Sequence, residues 1–186
     1  MISPPTEPNI YLIGFMAAGK TTVGGELASL LHRPFVDLDR EIERHAGRSI
    51  AELFEQSGEE FFRGLESDLL IEIASRKGQI VALGGGAFAE LRNRSRVRET
   101  GIAVWLDVPF EVLLDRLRND RGRPLNSPPA QLALLYEARC AHYRTADLSV
   151  ELSEGDARAS ALKIVQGLEL YSGWRVRNHG DSMRPG

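Results

Sequence analysis

An apolar run, "NIYLIG" at 9–14, leads into "GFMAAGKT" at 14–21 and then into a helical pattern, "TVGGELASLLH" at 22–32. Glycines at 14 and 19, followed by Lys20 and Thr21, fit G-x-x-x-x-G-K-[ST], and a buried strand before it and a helix after it are the context this pattern requires. Such punctuation leaves few ways to fold. The strand has to be interior, and the helix has to start where backbone N–H groups converge on an anion. Side chains at Gly14 and Gly19 would obstruct the approach of backbone to phosphate. Lys20 has the reach for the β- and γ-phosphates of a nucleoside triphosphate, and the Thr21 hydroxyl can ligate Mg²⁺.

The rest of the chain alternates. Extended segments are expected at "PFVDLD" (34–39), "QIVALGGG" (79–86), "GIAVWLDV" (101–108) and, more weakly, "DLSVEL" (147–152). Helical spacing is expected over 20–32, 39–45, 49–56, 58–76, 89–98, 109–119, 129–143 and 156–171. Strands alternating with helices imply a parallel sheet covered on both faces, with ligands beyond the carboxyl ends of the strands. One domain over 9–171 is expected, with a short extension at 1–8 and a flexible tail at 172–186.

Composition narrows the classes. Hydrophobic residues make up 42% of the 186, charged residues 26%, and the formal net charge is -3. That balance reads as soluble and globular and argues against bulk nucleic-acid binding. The single cysteine, Cys140, rules out an intramolecular disulfide and a cysteine-based zinc site, and reads as a small packing residue. No apolar run has the length of a membrane span, and "MISPPTEPN" is too short and polar for a secretory signal, so a cytoplasmic location is expected. His32, His45, His142 and His179 show no metal-ligand spacing.

Further candidates gather at the strand ends. Asp37 and Asp39, two apart on an extended segment, would project from the same face. One could hold a metal's water shell and the other could accept a proton from a hydroxyl; the plain alternative is two solvated acids, with Asp39 capping the next helix. The run Gly84, Gly85, Gly86 lets a ligand touch backbone N–H groups, or is a flexible turn. Arg63 and Glu66 are three apart on one helix face and could pair; the plain alternative is a surface ion pair of little worth. "RNDRGRPLNSPPAQ" (118–131) sets Arg118, Arg121 and Arg123 among glycine and prolines, which suits a loop that closes arginines over phosphates, or a solvated basic loop. Arg139 and Tyr143, four apart, are open to a surface reading.

Together these segments resemble one family, the shikimate kinases, small P-loop kinases of aromatic amino-acid and chorismate biosynthesis. The resemblance runs over 9–170 and rests on "GFMAAGKTTVG", "PFVDLDREIE", "GRSIAELFEQSGEEFFRGLE", "ALGGGAF", "GRPL" and "RCAHY", in the family's order. It implies a P-loop three-layer sandwich with a parallel sheet of five strands flanked by helices, a substrate-binding region about 39–66 and a lid about 119–131. The implied activity is Mg²⁺-dependent transfer of the ATP γ-phosphate to the 3-hydroxyl of shikimate, by a monomer, with no nucleic-acid or membrane partner.

By the same resemblance Ala17, Ala18, Gly19, Lys20, Thr21 and Thr22 wrap the ATP phosphates, with Thr21 on the metal and Asp37 holding it indirectly. Asp39 is the base or orienter at the shikimate hydroxyls. Arg63 and Arg139 grip the shikimate carboxylate, and Gly85 offers its N–H. Arg123 reaches the transferring phosphoryl group, and Arg116 lies near the adenine. Where the family usually has Pro and Leu before the tyrosine, this chain has Ala141 and His142. A kinase of another hydroxy acid such as gluconate, and an ATP-binding switch without turnover, are the rival readings.

Overall fold

The computed structural model describes residues 7–119, 128–152 and 156–171. Its centre is β1 (Asn9–Ile13), buried at every position as a strand covered on both faces must be. The other strands are β2 (Phe35–Asp37), β3 (Ile80–Ala82), β4 (Gly101–Asp107) and β5 (Leu148–Glu151). They form one five-stranded sheet in the order β2-β3-β1-β4-β5, parallel throughout, with Ile10 opposite both Ile80 and Ile102. The chain leaves β1 toward one edge and later returns to build the other edge. The carboxyl end of β1 therefore lies where parallel sheets of this kind hold ligands.

Seven helices flank the sheet: α1 (Lys20–Leu31), α2 (Leu38–Ala46), α3 (Ile50–Ala74), α4 (Leu91–Thr100), α5 (Phe110–Asn119), α6 (Pro129–Tyr143) and α7 (Ala157–Leu170). Three starts have a side-chain cap, that of α2 among them. Ser49 and Glu52 form a reciprocal capping box ahead of α3, and Asp156 caps α7 through the Ala159 N–H. Two helices were expected over 49–76, and α3 breaks where that division falls: Gly58, with φ 80° and ψ 170° that no helix interior accommodates, separates two helical arms across a kink. Ala87–Ala89 forms a single 3-10 turn, which moves the start of α4 to Leu91 from the expected residue 89.

Buried polarity is used to fix register. Asn9, wholly buried, donates to the Tyr11 hydroxyl and the Arg76 carbonyl and accepts from the Gln79 N–H, tying the start of β1 to the end of α3 and the approach to β3. Of the expected extension, Glu7 and Pro8 are held by Arg33, which pairs with the Glu7 carboxylate and donates to the Pro8 carbonyl. Residues 1–6 and the tail at 172–186 lie outside the described residues. Of the expected lid, 129–131 form the first turn of α6, while 120–127 lie outside the described residues.

Candidate active site

The glycine loop is shaped by backbone conformations that favour glycine. Gly14 has φ 148° and Gly19, the N-cap of α1, has φ 90°. A Cβ at Gly14 would stand 3.0 Å from the Leu106 carbonyl oxygen, so the turn out of β1 is pressed against β4. Ala17 takes φ 61° without being a glycine, and its carbonyl accepts from Arg116 Nη1 at 3.1 Å. Arg116 thereby ties α5 to the loop. The Lys20 ammonium donates to the carbonyl oxygens of Gly14 and Phe15, each at 2.9 Å, which lays its stem across the mouth of the loop.

Asp37 is placed differently from the expectation. The extended segment ends at Asp37 rather than reaching Asp39, because Asp37 is the N-cap of α2 and Asp39 lies in that helix's first turn. Asp37 Oδ1 accepts from the N–H groups of Asp39 and Arg40 at 3.1 and 3.4 Å. Its other oxygen accepts from the Thr21 hydroxyl at 2.6 Å. The two acids are thus not equivalent neighbours on one strand face. Asp37 is a hinge pin between the nucleotide loop and α2, and it orients the backbone that carries Asp39.

The Thr21 hydroxyl and Asp37 carboxylate put oxygen donors side by side at the loop, the donor type a hard cation such as Mg²⁺ takes. Among the described residues no group of three His, Cys, Asp or Glu side chains could hold a metal ion unaided. The pair therefore fits Mg²⁺ in the form in which nucleotide phosphates supply further oxygens.

The triple glycine is neither a loose turn nor only a source of N–H groups. A Cβ at Gly84 would stand 2.6 Å from Asp39 Oδ1 and 3.0 Å from Glu66 Oε1. One at Gly85 would stand 3.1 Å from Arg139 Nη1, and one at Gly86 would stand 2.6 Å from Arg63 Nη2. Each missing side chain makes room for a charged group from a different quarter. Asp39 arrives on α2, Arg63 and Glu66 on α3, and Arg139 on α6. The structure brings together all four residues expected at the acceptor: Asp39, Arg63, Gly85 and Arg139.

The two arginines are individually supported. Arg63 Nη1 donates to Glu66 Oε2 at 2.7 Å, its side chain is 18% exposed against 1% for Glu66, and the guanidinium lies 5.1 Å from the Phe62 ring centre. This is a part-buried pair and not the solvated one the spacing also allowed. Arg92 Nη2 donates to the Arg63 carbonyl from α4. Arg139 stacks over Phe15 at 5.5 Å, and Phe15 meets Tyr136 edge-on. Burial draws the Arg139 guanidinium below its ordinary value, and the charge of Arg63 adds to that, which leaves two cations sharing one pocket wall. Such a pair is suited to a carboxylate.

Sequence reasoning missed the supports. The Tyr143 hydroxyl donates to the Gly85 carbonyl, and Arg94 Nη1 donates to the carbonyls of Phe88 and Ala89 while meeting His142 Nδ1 at 3.3 Å. The four-residue spacing of Arg139 and Tyr143 was a usable signal for the first; nothing local marks the second. Cys140 is buried in the core, as expected. Arg121 and Arg123 lie outside the described residues.

A phosphate loop at the end of the central strand of a parallel sheet, facing an acid and two arginines on a glycine shelf, defines a P-loop phosphotransferase acting on a small anion. Comparison with known proteins sharpens this. The sequence profile described as "Shikimate kinase" matches residues 16–169. A shikimate kinase of Acinetobacter baumannii (strain AYE) is 46% identical over 165 residues, 87% of this chain and 92% of that protein. One of Cupriavidus pinatubonensis is 38% identical over 183 residues, covering 96% of this chain and 95% of the relative. A solved shikimate kinase from Acinetobacter baumannii, in complex with shikimate, superposes with a TM-score of 0.81 at 44% identity, covering 87% of this chain and 96% of that one. The chain belongs to the shikimate kinase family. A gluconokinase from Sinorhizobium meliloti, 18% identical with a TM-score of 0.59, shares the fold alone.

Proposed function

We propose that this enzyme transfers the γ-phosphoryl group of ATP to the 3-hydroxyl of shikimate. The observation that carries the reading is the convergence of Arg63 and Arg139, from separate helices, on the same glycine run that Asp39 faces. A carboxylate held by both guanidiniums puts the hydroxyls of a small ring toward Asp39. The site lies beside a loop whose N–H groups and Lys20 suit a triphosphate.

In this reading Ala17–Thr22 wrap the phosphates and Arg116 holds the loop on the side toward α5. Asp39 orients the attacking hydroxyl and receives its proton as the new P–O bond forms and the bond to the β-phosphate oxygen breaks. Lys20 follows the negative charge that moves onto that oxygen. Thr21 and, indirectly, Asp37 would hold Mg²⁺, which supplies charge neutralisation at the phosphates when bound. The Gly85 N–H serves the acceptor carboxylate. The family resemblance supports a monomer working in the cytoplasm, and no described helix is long and apolar enough to cross a membrane.

Purified protein with ATP and Mg²⁺, offered shikimate, gluconate and no acceptor in a coupled assay, tests the reading. ADP release that requires shikimate is expected. Release with gluconate alone would reassign the acceptor, and binding of ATP without any acceptor-dependent release would reduce the protein to a nucleotide-binding switch.

A further inference from the structure

Glu66 is the buried acid that the phosphoryl transfer above does not use. One oxygen, Oε2, is taken by Arg63; the other, Oε1, is enclosed and has no hydrogen-bond partner. Oε1 is not remote from the chemistry, since it and Asp39 Oδ1 flank the bare Cα of Gly84 from α3 and α2. An acceptor-only oxygen enclosed without a donor, beside a second carboxylate, is a costly arrangement when both acids are ionised.

We propose that Glu66 takes up a proton when the acceptor's carboxylate engages Arg63 and Arg139, so that anion binding and protonation of Glu66 are one linked event. The inference rests on the acceptor reading given above. The charged groups that face Glu66 are Arg63 on its own helix, Asp39 on α2, Glu90 at the start of α4 and Arg139 on α6. Of these, Arg63 is the only one that bonds it directly in the structure.

An arriving carboxylate competes for that same guanidinium and adds a negative charge to the pocket. The ionised form of Glu66 then loses part of its compensation while Oε1 still has none. Protonation at Oε1 removes one of the two like charges beside Gly84 and turns an enclosed acceptor into a donor next to the same glycine that Asp39 Oδ1 approaches. Burial already pushes the Glu66 carboxyl above its ordinary value; Arg63 pulls it back, and the charges of Asp39 and Glu90 push it further up. Glu66 is thus a positioning residue. It keeps Arg63 in place and, once protonated, steadies the carboxylate that orients the acceptor.

The sign follows from linkage: a ligand whose binding takes up a proton binds more tightly as pH falls through the range in which the free protein's group is ionised. Calorimetric titration of shikimate into the full chain, repeated in buffers of different ionisation enthalpy between about pH 6 and about pH 8, reads proton uptake directly. Buffer-dependent heat with uptake of a fraction of a proton is expected for the parent, and buffer-independent heat for Glu66→Gln. An infrared difference spectrum of the parent should gain a protonated-carboxyl band on adding shikimate, a measurement that needs no variant. Heat without proton uptake in the parent, or uptake that persists in Glu66→Gln, overturns the inference and leaves the acceptor assignment standing. No shikimate binding at all would overturn the acceptor assignment, and this inference with it.

Discussion

The hydroxyl of Tyr143 donates to the carbonyl oxygen of Gly85 at 2.5 Å, from a ring that is 1% exposed. It anchors the glycine run at Gly85 from the last turn of α6. Tyr143→Phe leaves the ring packing intact and strips a buried carbonyl of its donor, a loss of about 1–3 kcal/mol. The denaturation midpoint should fall accordingly, and the shikimate KM should rise several-fold with ATP affinity unchanged. Unaltered stability and KM would remove Tyr143 from the support of the shelf.

Lys20→Ala should lower turnover by about 10²–10³ or more, the scale of removing a group that meets charge developing in the transition state. Lys20 donates to two carbonyls of its own loop, so some loss of stability should accompany the loss of turnover. Circular dichroism alongside the assay separates the two effects; near-native turnover would take Lys20 out of the phosphate cradle.

Arg63→Ala and Arg139→Ala should each cost about 2–5 kcal/mol in acceptor recognition, which is about 30-fold to a few thousand-fold in a binding constant. ATP affinity measured without acceptor should stay within a few-fold of the parent. The double variant should fall short of the product of the single effects, because both groups act on one anion. Steady-state kinetics with shikimate reads all three, and normal kinetics in either single variant would strip that arginine of its role.

Glycine-to-alanine changes should divide by what the new methyl meets. At Gly86 it meets the far end of Arg63, a flexible side chain that can retreat. Gly86→Ala should therefore fold normally and lose shikimate affinity by at least tens-fold, a loss on the scale of the Arg63 truncation. At Gly101 the methyl would stand 2.2 Å from the Asn9 carbonyl oxygen, which is backbone of the central strand. Gly101→Ala should fold poorly or not at all. Thermal denaturation and kinetics side by side check the contrast; equal stability losses at both positions would defeat it.

Much of this was legible in the chain because it is local. The glycine loop, the alternation of strands and helices, and the apolar run of β1 depend on spacing within a few residues. The acids at 37 and 39 show where that stops. Their two-residue spacing suggested a shared strand face, but an Asp before a helix competes to become its cap, and capping by Asp37 ends the strand there. The partners of the glycine run were less legible still. That Gly84 faces two carboxylates, Gly85 one arginine and Gly86 another depends on where α2, α3 and α6 converge. Those contacts join residues 18 to 54 positions apart in sequence, and no periodicity reports them.

The two oxygens of Asp37 have a consequence for how the reactants hold their spacing. One is bonded to the helix that follows the nucleotide loop, the other to the helix that carries Asp39. Donor and acceptor are in effect surveyed from one benchmark. A displacement of that carboxylate carries both sides in the same direction, so much of the jitter of the scaffold is common to the two reacting groups and cancels in the gap between them. Alignment for transfer then asks little of rigidity in the sheet as a whole. It asks that one short span, from Thr21 through Asp37 to Asp39, keep its length.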